Sequence, residues 1–164
     1  MSSTANHSHS VLFVCLGNIC RSTMAEGIFQ HLVQQRGLKD KWLIDSAGTG
    51  DWHIGKSPDD RTMQVLKKNG IKGYKHSGRL ITEDDFTTFE YIFGMDHANI
   101  TDINDIAPAN STAKISLLGS YDPQKELIIE DPYFAYNHNK NAFNEVYEQC
   151  MRCCTAFLDS VSKD

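Results

Sequence analysis

The chain has 164 residues, 40% of them hydrophobic and 23% charged, with a formal net charge of -5. That is enough chain for one domain with a buried core that needs no disulfide or metal staples. The acidic balance argues against nucleic acid as the main partner, no apolar run reaches the ~20 residues of a membrane span, and no secretory signal opens the chain.

Met1 to Ser10 are polar and without periodicity, and read as a disordered tail, with the folded domain over 11–164. Val11-Leu12-Phe13-Val14 is a continuous apolar run, the pattern of a parallel strand buried on both faces. Cys15 to Arg21 form a short loop, and Thr23 and Glu26 have capping-box spacing for the helix that follows. Ala25, Ile28, Phe29, Leu32 and Val33 recur at helical spacing, and Gly37 stops the helix. Trp42-Leu43-Ile44 reads as a second strand, ending in a small-residue loop from Ser46 to Gly50. Pro58 introduces a helix to about Asn69, closed by Gly70.

A short strand is expected near His76 and a third clear one at Tyr91-Ile92-Phe93. A helix follows from Asp96 to about Ile106, ended by Pro108, and Ile115, Leu117 and Leu118 mark another strand. A turn-rich stretch holds Asp131-Pro132-Tyr133-Phe134. The last helix runs from about Ala142 to Ser160, its apolar face marked from Phe143 to Val161. Strands alternating with helices predict an α/β fold: a single domain with a central, mainly parallel, four-stranded twisted sheet flanked by helices on both faces. Ligands in such sheets bind beyond the carboxyl ends of the strands, where Cys15, Ser46 and Asp96 fall.

The segment Cys15-Leu16-Gly17-Asn18-Ile19-Cys20-Arg21-Ser22 joins a buried strand to a helix N-terminus. Its backbone N–H groups can turn inward as an anion-binding nest, with the helix dipole adding positive potential. Gly17 and Asn18 tolerate the left-handed backbone angles a tight nest needs. The field that attracts an anion also favours a thiolate, as it does for cysteines at helix N-termini in general. Arg21 closes the loop with a planar fork that can hold two phosphate oxygens at once, and Ser22 can donate its hydroxyl to the Cys15 sulfur. A cysteine after a buried strand is more often a small core residue; it is the strand, loop, arginine and helix together that favour chemistry.

These residues resemble the signature V-C-x-G-N-I-C-R-S of the low-molecular-weight protein tyrosine phosphatases, here Val14 to Ser22, with Asp131-Pro132-Tyr133 matching their late D-P-Y motif. Asp45-Ser46-Ala47-Gly48, the stretch from Leu117 to Pro123, and the final helix with Cys150, Cys153 and Cys154 match as well, so the resemblance covers nearly everything after Ser10 and is greatest to animal members. It implies hydrolysis of protein phosphotyrosine and small aryl phosphates through a phospho-cysteine intermediate. Cys15 would be the nucleophile, Arg21 and the loop N–H groups of Leu16, Gly17, Asn18, Ile19, Cys20 and Ser22 the phosphate holders, and Asp131 the general acid and base. By the same resemblance Asn18, Ser46 and His76 brace the loop, Asp96 orients Arg21, and Trp52, Tyr133 and Phe134 wall a cleft deep enough to favour phenyl phosphates. Cys20 is implied as a redox partner of Cys15.

Read alone, Asp131 before Pro132 is a turn starter, His76 a satisfied histidine and each aromatic a core residue. Phe134 stands where the family often has a second tyrosine, and Thr23 where it often has proline. No cofactor and no metal are expected; Cys150-x-x-Cys153 lies on a helix and lacks two further zinc ligands. The expected partners are tyrosine-phosphorylated proteins, with phosphate or another oxyanion in the loop, and the expected state is a cytoplasmic monomer with five free thiols. Two rivals remain: an arsenate reductase of the same fold, for which no cysteine lies between Cys20 and Cys150, and a non-catalytic phosphotyrosine-binding module.

Overall fold

The structure is a computed structural model and describes residues 7–162. A four-stranded sheet, ordered β2-β1-β3-β4 and parallel throughout, runs through its middle. β1 is His9–Cys15, β2 Trp42–Gly48, β3 Tyr91–Gly94 and β4 Lys114–Leu117. The helices are α1 (Arg21–Gln35), α2 (Asp60–Lys68), α3 (Asp85–Thr88), α4 (His97–Ile106), α5 (Pro132–Ala135) and α6 (Ala142–Ser162). β1 is central because its run from Val11 to Cys15 is buried on both sides. Alternation sends Val11, Phe13 and Cys15 to one face and Leu12 and Val14 to the other. The first face packs against α1 and α6 through an aromatic cluster of Phe13, Phe29, Trp42, Phe93 and Phe157, with Val65 and Leu66 of α2 in the same core. The second packs against α3 and α4 through Phe86, Phe89, Ile92 and Ile103.

Several expected boundaries move. β1 starts at His9, before the expected end of the tail, because His9 and Ser10 pair with Trp42 and Leu43; the first residues of that expected tail, 1–6, lie outside the described residues. α1 starts at Arg21 with Cys20 as its N-cap and no side-chain cap. The expected capping box is not formed: the Thr23 hydroxyl donates to the Ile19 and Cys20 carbonyls, and Glu26 is spent elsewhere. β2 extends through Ser46, Ala47 and Gly48 instead of giving way to a loop, since its pairing with β1 continues to Cys15↔Gly48. Only a glycine fits at its end, where a Cβ would lie 2.9 Å from the Leu16 carbonyl oxygen.

α2 begins after Pro58 and Asp59, with the Asp59 carboxylate accepting from the Arg61 N–H. No strand forms at His76; Leu80 alone bridges to Gly48. The backbone there is engaged by the loop instead, with the Arg79 N–H donating to the Asn18 side chain. Leu118 opens a short 3-10 turn rather than ending β4. α4 has the expected start: Asp96 is its N-cap, in a reciprocal capping box with Asn99.

Candidate active site

The carboxyl end of β1 delivers Cys15 into a loop that closes at Arg21, the first residue of α1. Four of the loop carbonyls are taken by N–H groups beyond the loop. Thr49 N–H donates to Cys15, Gly50 N–H to Leu16, Asp59 N–H to Ile19 and Met24 N–H to Cys20. That leaves the loop N–H groups for the cleft, and the uncapped start of α1 adds its own free donors. Asn18 makes the turn possible with a φ of 58°.

Asn18 is also the hub of the loop's support. Its Oδ1 accepts from Arg79 N–H at 3.1 Å and from His76 Nε2 at 2.7 Å. The Arg79 amide can only donate, which fixes that oxygen's identity and puts a proton on His76 Nε2. The Asn18 amide nitrogen donates to Ser22 Oγ at 2.8 Å and to Ser46 Oγ at 3.0 Å. Ser22 thus accepts from Asn18, and its own proton is free for Cys15 Sγ, 3.1 Å away. Ser46 donates to Glu26 Oε1 at 2.6 Å, and Tyr74 OH donates to the same oxygen at 2.7 Å.

Burial pushes the Glu26 carboxyl up to about 7 against the pull of those two hydrogen bonds. Burial likewise pushes His76 below its ordinary value, with Asp45 drawing it back up. His76 Nδ1 lies 3.3 Å from Glu26 and 3.6 Å from Asp45. Among the described residues, Glu26, Asp45 and His76 form the one cluster spaced to hold a cation. Its ligands are already engaged, Asp45 by Arg79 at 3.0 Å.

Arg21 is 3% exposed. Its Nη1 donates to Asp96 Oδ2 at 2.7 Å and to the Ile129 carbonyl at 2.9 Å. Burial works against a charged Asp96, but the Arg21 bond and backbone N–H groups outweigh it and hold the carboxylate below its usual range. Arg21 Nε is buried with no partner, an unmet donor beside Cys15 that an anion would satisfy. Asp131 comes from the other side. Its Oδ1 caps α5 by accepting from Tyr133 N–H at 3.0 Å, and its Oδ2 lies 3.8 Å from Arg21 Nη2. Turn-maker and cleft residue are therefore the same carboxylate.

These groups meet in a cleft of about 370 Å³ lined by Cys15, Leu16, Gly17, Ile19, Cys20, Arg21, Trp52, His53, Asp131, Tyr133 and Phe134. Cys15 is 3% exposed at its base, while Trp52 is 65% and Phe134 72% exposed at its rim. A second groove, about 470 Å³, backs onto Asp131 but holds glutamates and no nucleophile. Cys20 is buried in the loop, where desolvation pushes its thiol up. Cys150, Cys153 and Cys154 are core residues, their thiols pushed up by burial, Cys153 to about 12.

Cys15, Asn18, Arg21, Ser22, Ser46, His76, Asp96 and Asp131 are thus brought together, with Trp52, Tyr133 and Phe134 around the mouth. Sequence reasoning missed Glu26, Tyr74, Arg79 and His53. One signal for Glu26 was present: it lies four residues after Ser22, one turn along the same face of α1.

A family model described as low molecular weight phosphotyrosine protein phosphatase matches residues 10–164. A pig protein of that description is 53% identical over 154 residues, covering 93% of this chain and 95% of its own. Among solved structures, a protein tyrosine phosphatase from Entamoeba histolytica with Hepes in its active site superposes with a TM-score of 0.87 at 32% identity, covering 95% of this chain and 98% of that one. A Drosophila structure described as an arginine phosphatase has a TM-score of 0.85 at 44% identity, covering 92% of this chain and 96% of that one.

Proposed function

Because the chain belongs to the low molecular weight phosphotyrosine protein phosphatase family, we propose that it hydrolyses protein phosphotyrosine and small aryl phosphates through a phospho-Cys15 intermediate. The Cys15 thiolate attacks phosphorus in line as the bond to the phenolic oxygen breaks. Arg21 and the loop N–H groups take up charge on the equatorial oxygens. The proton on Asp131 passes to the departing phenol. Asp131 Oδ1 is occupied by Tyr133 N–H, so Oδ2 is the oxygen that carries it. In the second step the Asp131 carboxylate takes a proton from water, the water oxygen bonds to phosphorus, and the P–S bond breaks. The Ser22 hydroxyl stabilises the thiolate that leaves, and inorganic phosphate is released. Charge is handled by Arg21 and backbone donors, so the reaction proceeds without added metal.

The observation that carries the reading is the buried Arg21 with an unmet Nε, facing the same cleft as Cys15, with Asp131 Oδ2 3.8 Å from its other arm. Depth supports selectivity for phenyl phosphates: Cys15 lies at the base, and a short serine ester would leave its phosphate near the rim. The reading includes a cytoplasmic protein, since all five cysteines are free thiols, acting as a monomer on tyrosine-phosphorylated proteins. No helix among the described residues is long and apolar enough to cross a membrane. Arsenate reduction is disfavoured, because the cysteines after Cys20 are all buried in α6.

A second substrate class, phosphoarginine, is raised by the likeness to the Drosophila structure. The test is turnover of an aryl phosphate and of matched phosphotyrosine, phosphoserine and phosphoarginine peptides, with EDTA present, by wild type and Cys15→Ser. Cleavage of the aryl and phosphotyrosine substrates by wild type alone is expected. Preference for phosphoarginine would install the second reading, and an inactive wild type that still binds phosphotyrosine would make the loop a recognition pocket.

A further inference from the structure

The segment that carries Asp131 has little to hold it. From Glu130 to Asn141 the chain is exposed or half-exposed except at Pro132, and α5 is a single turn. Besides Arg21 at Asp131 and Phe143 at Tyr136, a side chain of α2 reaches across to it. Arg61, in the first turn of α2, places its guanidinium 5.1 Å from the Tyr133 ring centre, 4.9 Å from Tyr136 and 4.5 Å from Phe143. Tyr136 and Phe143 meet edge to face at 5.8 Å.

The other side of Arg61 is fixed to the nucleophile loop. Its Nε and Nη2 donate to Asp59 Oδ1 and Oδ2 at 3.0 and 2.9 Å. Asp59 N–H in turn donates to the Ile19 carbonyl at 2.9 Å, and Thr62 Oγ1 donates to the Cys20 carbonyl at 3.3 Å. The planar fork is what lets one side chain do both: its edge grips a carboxylate while its faces lie against rings. An ammonium group offers neither the bidentate edge nor the faces.

We infer that Arg61 is a positioning residue for the general acid, tying the Asp131 segment to the loop that bears Cys15. This rests on the assignment of Asp131 above. A carboxylate 3.8 Å from Arg21 Nη2 and 41% exposed is otherwise fixed by its cap on α5, and small misplacements cost large factors in such sites. Proton donation matters only for leaving groups that need a proton, so the defect depends on the substrate. Loosening the segment slows cleavage of phosphotyrosine and spares an activated aryl phosphate whose phenolate leaves unaided.

The experiment measures kcat/KM for wild type, Arg61→Lys, Tyr136→Ala and Asp131→Asn across aryl phosphates of increasing leaving-group pKa, with thermal melting to confirm folding. For Arg61→Lys and Tyr136→Ala the expected result is a loss of about tenfold or more with phosphotyrosine. That lies inside the ~10²–10⁴-fold that a general acid contributes. With the most activated ester the loss should be less than about twofold, and the dependence on leaving group should steepen toward that of Asp131→Asn. Tyr136→Phe keeps the ring and should behave as wild type. A loss equal across the series, or none, alongside a steep Asp131→Asn series overturns the inference alone. A flat Asp131→Asn series overturns the acid assignment, and the inference with it. Tyr136→Ala leaves the Asp59–Arg61 pair intact and decides the question if Arg61→Lys does not fold.

Discussion

Ser22 shows how much one hydroxyl decides. It accepts from Asn18 and so has its only proton for Cys15. In the proposed mechanism that bond matters most when the sulfur leaves phosphorus with a negative charge. A hydrogen bond to a charged group contributes about 1.5–3 kcal/mol, a factor of about 10–100. Ser22→Ala is therefore expected to lower kcat by that factor on an activated aryl phosphate and to accumulate phosphoenzyme, seen by acid-quench trapping. An unchanged kcat with no trapped intermediate would remove Ser22 from the second step. Cys15, Arg21 and Ser22 were legible because their geometry is local: a strand end, a short loop and a helix start are contiguous in the chain. Glu26, Tyr74 and Arg79 were not. Each carries a side chain ordinary for its place, and only the tertiary fold brings a helix, a loop and a strand end onto Asn18 and Ser46.

At the scale of elements, α1 carries both the proposed phosphate holder and the support beneath it. Arg21 and Ser22 open the helix, and Glu26 sits one turn on, buried against Ser46 and Tyr74. Folding raises the Glu26 carboxyl from its ordinary 4.5 to about 7. Between those values the folded chain holds a proton that the unfolded chain has lost, so this group makes stability fall as pH rises from about 4.5 to about 7. His76, lowered by burial, acts in the opposite sense below its ordinary value of 6.5. Glu26→Gln deletes the first contribution and keeps the second. Denaturant unfolding at pH 5 and pH 7 should therefore show wild type losing stability relative to Glu26→Gln on going to pH 7; parallel behaviour would mean that Glu26 does not hold the proton. The long elements, β1, α1, α4 and α6, were readable because apolar periodicity persists over several turns or a whole strand. The end of β2 was not, since Ser46, Ala47 and Gly48 are small for the sake of the loop beside them, and small residues mimic a turn. The single turns α3 and α5 are too short for periodicity to accumulate.

Taken whole, the molecule has two cores on the two faces of one sheet, and the chemistry sits where the aromatic-rich face meets the carboxyl ends of β1 and β2. Alternating strands and helices made this architecture legible, and with it the end of the sheet that bears the site. The cleft walls came only from the family resemblance, because Trp52 stands in a loop and Tyr133 and Phe134 in a single turn, neither of which carries a periodic signal. The uncapped start of α1 reaches beyond catalysis. In the proposed mechanism the first turn of this helix takes its missing partner from solution, and the reaction's own product is that partner. Anything bound by the native state alone stabilises it by mass action, by about 2.7 kcal/mol at a hundredfold excess over Kd. Inorganic phosphate should therefore raise the melting temperature of wild type, the rise setting in near its inhibition constant and continuing with the logarithm of concentration, and Arg21→Ala should melt at a temperature indifferent to phosphate. A phosphate response retained in Arg21→Ala would place the anion elsewhere. Product inhibition and resistance to unfolding then become one equilibrium, seen once as lost turnover and once as gained heat tolerance, so that the phosphate level around the protein sets both together.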